Sequence, residues 1–252
     1  MRKKLLLSSA AIAAALILPQ LSMADASKKS SRWDGTYALA GGGGTVTARK
    51  IQVLNSNNEY DRQKLKSRTI LRAEVGKKFL GDFRIGFEIN QLPDSTVKFT
   101  DGVQNSGREI NGKIASMVGF VNFYYDMNEV DRTATPYIGF GVGMSRNKTI
   151  DLQRNWSSFS GTPGAGTDVF KKKFINTVAW KATLGMKLKI TEMLFVDLSY
   201  NYANFGRLRT VLEYDSYNTA GAKQNTVTQS AAVFQRAHLR EHVGIASMGL
   251  QF

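Results

Sequence analysis

The 252-residue chain has no cysteine and only two histidines, and its 20 acidic residues are outnumbered by 34 basic ones. Without cysteine, no disulfide or thiolate metal site holds the fold together. No stretch supplies the roughly 20 consecutive apolar residues that a membrane-spanning helix needs. The glycine run Gly41 to Gly44 lacks the following Lys-Ser/Thr and the helix pattern of a phosphate loop. It reads instead as a place where neighbouring strands or a bulky side chain approach closely.

The N-terminus has the form of an export signal. Arg2, Lys3 and Lys4 precede an apolar segment from Leu5 to Leu18, Pro19 breaks it, and Ser22-Met23-Ala24 offers small residues for cleavage. Residues 1–24 are therefore expected to be a signal peptide, 25–32 a flexible periplasmic tail and 33–252 a single β domain. Removing the signal lowers the formal charge from +14 to +11. Export sets aside the nucleic-acid partner that a basic chain often signals. Acidic lipid head groups, lipopolysaccharide or anionic host glycans are the counter-charges that remain.

The rest of the chain is organised around Phe174 to Tyr202. Val178, Trp180, Ala182, Leu184, Met186 and Leu188 share one face, and Thr177, Ala179, Lys181, Thr183 and Lys187 the other. This is period 2. After Thr191, Glu192 and Met193 the alternation restarts, with Leu194, Val196, Leu198, Tyr200 and Tyr202 against Asp197, Ser199 and Asn201. From Leu194 to Tyr202 a strand tilted near 40° climbs about 20 Å, a fair match to an apolar band about 25 Å tall. The same design recurs in a hairpin over 66–89, where Leu71, Val75, Phe79, Phe83, Ile85, Phe87 and Ile89 oppose Arg68, Arg72, Glu74, Arg84 and Glu88. It recurs again in PYIGFGVGMS, where glycines line the polar side.

Two segments resist a single phase. Between Glu109 and Met127, Ile114, Val118 and Phe120 alternate in one register and Met117, Val121, Phe123 and Tyr125 in the other. The pattern leaves the facing open, and a mid-strand bulge is one way to reconcile it. In the last strand, Ala237 to Phe252, the terminal phase of Ala246, Met248, Leu250 and Phe252 is taken as outward, against Val243 and Ile245. The intervening stretches 48–65, 93–108, 147–173 and 205–236 are polar, without periodicity, and read as long loops. Eight strands then alternate with long and short connections, as in an all-β, eight-stranded antiparallel up-and-down transmembrane β-barrel with short periplasmic turns and four long extracellular loops.

PYIGFGVG at Pro136 to Gly143, FVDLSYNYANFG at Phe195 to Gly206 and the terminal GLQF together resemble the eight-stranded outer-membrane surface proteins, the opacity-type, porin-like surface antigens. The resemblance covers nearly the whole mature chain. It implies location in the cell outer membrane and a non-enzymatic surface role. It also implies that Phe252 is part of the signal presented to the outer-membrane assembly machinery. Relatives that tether the cell wall carry a further C-terminal domain, and that role is not supported here.

The histidines fall in HLREH, His238 to His242, the spacing of an inverted zinc peptidase motif. That chemistry needs a helix to converge both rings on one metal. The segment reads as a strand, so no metal, cofactor or catalytic site is assigned. Arg68, Arg72, Glu74, Arg84, Glu88, Lys181 and Asp197 are expected to form a polar network filling a lumen just wide enough for side chains. The four long connections carry a summed formal charge of +7. Lys148, Arg154, Lys171, Lys172, Lys173, Arg207 and Arg209 are the residues expected to meet an anionic host or extracellular ligand. An adhesin or surface antigen is the reading that follows; the alternative is a narrow porin-like channel for small or apolar solutes.

Overall fold

The computed structural model describes residues 35–48, 50–54, 60–64, 67–79, 81–100, 109–127, 133–156, 166–208, 213–218, 221–228 and 237–252. The expected signal peptide, the tail 25–32 and Arg209 lie outside them. Among the described residues there are thirteen strands: β1 Thr36–Ala48, β2 Lys50–Leu54, β3 Tyr60–Lys64, β4 Thr69–Phe79, β5 Phe83–Thr100, β6 Glu109–Asp126, β7 Ala134–Trp156, β8 Gly166–Phe170, β9 Lys173–Lys189, β10 Leu194–Leu208, β11 Glu213–Asn218, β12 Lys223–Thr228 and β13 Ala237–Gln251.

Eight of them close a ring in the order β7-β6-β5-β4-β1-β13-β10-β9, with β9 pairing back onto β7 from Ala134↔Leu188 to Thr149↔Lys173. Every ladder is antiparallel. β8, β11 and β12 extend from the distal part of β7, where Gln153 pairs with Val169 and Tyr214 with Phe170. β2 and β3 form a separate hairpin.

The tight turns lie at one end. Between β9 and β10, Ile190 N and Thr191 N both donate to Leu194 O, and Thr191 Oγ1 accepts from Leu194 N at 2.9 Å. At the same end the first and last described residues close on each other, Gly35 N donating to Phe252 O at 2.9 Å and Phe252 N to Thr36 O at 2.8 Å. The glycine run of β1 lies against β13, and a Cβ on Gly43 would collide with the Gly244 carbonyl. Backbone contact this close excludes any other residue there.

Polarity across the wall is inverted relative to a soluble protein. Val178 is 70% exposed, Met144 63% and Leu184 58%, whereas Arg72, Glu74, Glu88, Lys181 and Asp197 are buried inside. An apolar exterior this continuous is far beyond what a soluble monomer shows. Aromatic side chains edge it at both ends: Phe83 lies 6.2 Å from Phe79 and 5.2 Å from Tyr125 near the turns, and Tyr202 lies 5.6 Å from Trp180 and 5.1 Å from His242 at the far end, between ring centroids. Such girdles flank the lipid-facing band of outer-membrane barrels.

Three expectations are corrected. The stretch 48–65 is not featureless, since it contains the β2–β3 hairpin. Stretches 93–108, 147–173 and 205–236 are likewise shorter as loops than expected. β5 runs to Thr100, β7 to Trp156 and β10 to Leu208, and the last two stretches contain β8, β11 and β12. These extensions stand outside the lipid and have no reason to alternate. β6 also keeps one phase throughout its barrel segment: Ile114, Ser116, Val118, Phe120, Asn122 and Tyr124 face inward, Met117, Val121, Phe123 and Tyr125 outward. Its bulge against β7, between Asn111 and Lys113, lies beyond that alternation.

Leu184 sits mid-strand on the outer face of β9. Leu184→Arg is expected to destabilise the barrel in a bilayer by about 2–4 kcal/mol, the cost of an arginine facing lipid at the midplane. Lys172→Glu, exposed ahead of β9, is expected to change it by less than about 0.5 kcal/mol. Equilibrium urea unfolding in lipid vesicles reads both.

Candidate functional site

The interior is built in two tiers. Near the turns, Arg72 on β4 meets three carboxylates: Glu74 at 2.6 Å, Glu88 at 2.9 Å and Asp197 at 3.0 Å. Lys181 on β9 reaches across to Glu88 at 2.6 Å. Tyrosine hydroxyls complete the carboxylate shells: Tyr37 donates to Glu74 at 2.6 Å, Tyr124 to Glu74 at 2.9 Å and Tyr137 to Asp197 at 2.7 Å. Below them Arg84 is bound to Asp126 at 2.8 Å, and its guanidinium lies 4.7 Å from the ring centroids of both Tyr124 and Tyr137. Inward glycines make room for these rings, since a Cβ on Gly139 would strike Tyr124, on Gly185 Tyr137 and on Gly76 Tyr37.

Toward the extracellular end the lumen turns apolar. Ile70, Leu92, Ile114, Val118, Phe120, Phe205, Leu208, Leu239, Val243 and Ile245 form one buried cluster. An ion pair, Arg68 with Glu241, is set among these strands. Part of the closure comes from β10, whose ladder with β9 ends at Asn204↔Trp180 although both strands continue. Gly206 takes a φ of 84°, and the register with β13 shifts between Asn204 and Arg207. The Phe205 carbonyl accepts from Ser145 Oγ and from Asn147 Nδ2 at 2.8 Å, and the Arg207 carbonyl from Asn147 Nδ2 at 3.0 Å. These bonds tie the bent end of β10 to the inner face of β7. At the opposite mouth a cup of about 340 Å³ opens, lined by Lys78, Asp82, Asp126, Lys187, Glu192 and Phe195 among others.

Each residue assigned to the lumen network, Arg68, Arg72, Glu74, Arg84, Glu88, Lys181 and Asp197, is buried there. Arg68 stands apart from the other six, paired with Glu241. Tyr37, Tyr124, Tyr137, Asp126, Ser145 and Asn147 were not anticipated as members. Their inward parity is the signal the sequence offers for them.

The basic residues assigned to the crown divide differently. Lys172, Lys173 and Arg207 are exposed. Arg154 is engaged within the extracellular sheet, bound to Asp168 at 2.6 Å with its guanidinium 5.1 Å from the Tyr214 ring. Lys148 leans over Phe174. The crown residues thus stand largely on strand extensions or between adjoining strands rather than in long loops.

HLREH is strand, which turns Glu241 inward and His238 and His242 outward. His242 contacts the Tyr200 hydroxyl and stacks near Tyr202. No cluster of three metal-ligating side chains occurs among the described residues.

Closure, inverted polarity and paired girdles decide the class. The chain is an eight-stranded antiparallel barrel of the outer-membrane type. No protein-family model matches it. It is 29% identical over 103 residues to outer membrane protein PagN of Salmonella typhimurium, a match covering 39% of this chain and 38% of that one. The matched part of the chain thus spans well under half of that relative. Among solved structures it is similar to Neisserial surface protein A, with 12% identity and a TM-score of 0.42 over 87% of this chain and 98% of that one. Ail, the attachment invasion locus protein of Yersinia pestis, in complex with the heparin analogue sucrose octasulfate, gives 12% and 0.42 over 87% and 99%. OprG of Pseudomonas aeruginosa gives 13% and 0.46 over 87% and 96%.

Two outcomes follow for the barrel. Arg72→Ala leaves Glu74 and Asp197 without their cation and is expected to cost about 3–5 kcal/mol, read as a lower urea midpoint for the heat-modifiable form. At the crown, partial burial and then the charges of Arg207 and Arg240 hold His238 below its ordinary value of 6.5. Its neutral form is the one the fold prefers, so this contribution is fully present above that value and is lost as pH falls through the lowered one. NMR titration is expected to place His238 below 6.5, and Arg207→Gln to move it back upward.

Proposed function

We propose that this barrel is a non-enzymatic, non-conducting surface protein whose basic crown binds an anionic ligand of the host or extracellular matrix. The observation that carries this reading is the contrast between a filled interior and the exposed cations beyond it. The lumen is filled by paired charges and then by an apolar cluster, while Lys172, Lys173 and Arg207 stand exposed above it. A filled lumen leaves recognition to the surface, where function in rigid scaffolds concentrates. A basic crown raises the local concentration of polyanions and accelerates their capture.

The narrow channel is the second reading, favoured by the cup at the periplasmic mouth. Solute entering it meets the Arg72 and Arg84 networks within the lumen. Opening that path requires breaking buried ion pairs, each break costing several kcal/mol.

Lys172→Gln, Lys173→Gln and Arg207→Gln combined are expected to weaken binding to immobilised heparin roughly tenfold at low salt, at a few tenths to 1 kcal/mol per exposed charge. The difference should shrink as salt is raised, while heat-modified gel mobility stays that of the parent. Unchanged retention would remove the crown from the ligand site. A steady single-channel current from the unmodified barrel in planar bilayers would favour the channel instead.

A further inference from the structure

The outer wall carries a second basic site, apart from the exposed crown cations Lys172, Lys173 and Arg207, and it takes Lys148 from the residues first assigned to the crown. Met144 on β7 pairs with Val178 on β9, and these two side chains are among the most exposed apolar groups of the belt. The next outward positions along β7 are Arg146 and then Lys148, paired with Asn176 and Phe174. Each outward step is two residues, about 6.6 Å along the strand and about 5 Å in height at a tilt near 40°. Arg146 and Lys148 therefore stand immediately beyond the apolar belt, at head-group depth on the extracellular side. Lys113 on β6 faces the same way.

Both β7 cations are drawn onto one ring. The Arg146 guanidinium lies 4.7 Å from the Phe174 centroid and the Lys148 ammonium 5.3 Å. Cation–π contact holds each of them, but it also brings two like charges together. None of the surrounding outward positions, Ala115, Met117, Asn176 and Val178, carries a carboxylate. An anion shared between the two would relieve their repulsion.

We propose that Arg146 and Lys148, seated on Phe174 and assisted by Lys113, bind a phosphate of the outer-leaflet glycolipid, lipopolysaccharide, with the acyl chains of the same molecule lying on Met117, Met144 and Val178. Continuity of the cations with the exposed apolar wall selects a lipid over a soluble anion. A free phosphate gains nothing from the methionines, whereas a phosphorylated lipid satisfies both surfaces at once. The site rests on the outer-membrane reading of the barrel and not on the ligand of the crown.

The test is native mass spectrometry of the detergent-purified barrel with diphosphoryl lipid A, with its dephosphorylated form in a second arm and inorganic phosphate as competitor in a third. The parent is expected to retain diphosphoryl lipid A over the dephosphorylated form by on the order of tenfold. R146Q/K148Q is expected to lose that preference, R146K/K148R to keep it, and K172Q/K173Q/R207Q to leave it untouched. Should R146Q/K148Q fail to refold, K148Q alone is read by the same preference and is expected to reduce it. Equal retention of both lipids by the parent, or an undiminished preference in the glutamine variants, overturns the site. Complete displacement by millimolar inorganic phosphate would assign the cations to a soluble anion and overturn the lipid. Loss of the preference in the crown variant would show that the two sites are not separate.

Discussion

Everything in this molecule depends on the ladder that returns β9 to β7. Lipid offers backbone groups no hydrogen-bond partners, so a sheet crossing it must have no edge. Closing eight strands meets that condition and also sorts every side chain of the wall into one of two environments. Outward residues inherit an apolar solvent and inward ones a narrow shared space. The inversion of charge and hydrophobicity follows from closure, as does the need for each buried charge to find an opposite one.

How the lumen meets that need differs along its axis. Arg72 answers Glu74, Glu88 and Asp197, and Lys181 supplies a second cation to Glu88. Tyrosines fill the space between these ions and donate hydroxyl hydrogens to the carboxylates, an economical match for an eight-stranded interior. Replacing one partner in such an array exposes the rest to uncompensated burial, so the network acts as a unit. Beyond it the filling becomes Phe120, Phe205, Leu239, Val243 and Ile245, which need no partners. The polar tier fixes which strands face one another, and the apolar tier excludes water from the extracellular half.

The wall was legible in the sequence because period 2 survives wherever one face meets lipid and the other meets charge. Leu184 against Lys181 and Phe87 against Glu88 identify their faces unaided. Legibility failed where the inner face became apolar as well. Ile114, Val118 and Phe120 on β6 and Val243 and Ile245 on β13 compete with the outward set because they belong to the apolar tier, not because the strand changes register. It failed again beyond the membrane, where β8 buries Asp168 as well as Phe170, and β8, β11 and β12 carry no alternation of apolar with polar residues. The crown suffered most: Arg154 and Lys172 look equivalent as letters, and only the packing of Asp168 and Tyr214 around Arg154 separates them.

The bend in β10 joins these threads. A strand that simply continued beside β9 would leave the space above Phe120 open. Gly206 supplies the positive φ that other residues adopt at a cost, and the turn carries Phe205 to within 6.5 Å of Phe120, between ring centroids. Turning inward removes the two carbonyls from their β9 partners, and unpaired buried carbonyls are expensive. Ser145 and Asn147 answer that cost from the inner face of β7. Small polar residues on the inward phase of β7, directly beyond its glycines, are therefore tied to a glycine on β10 about 60 positions later. The upper lumen is closed by a main-chain segment held at both sides, and the outer wall at that level is left to Arg146, Lys148 and Phe174.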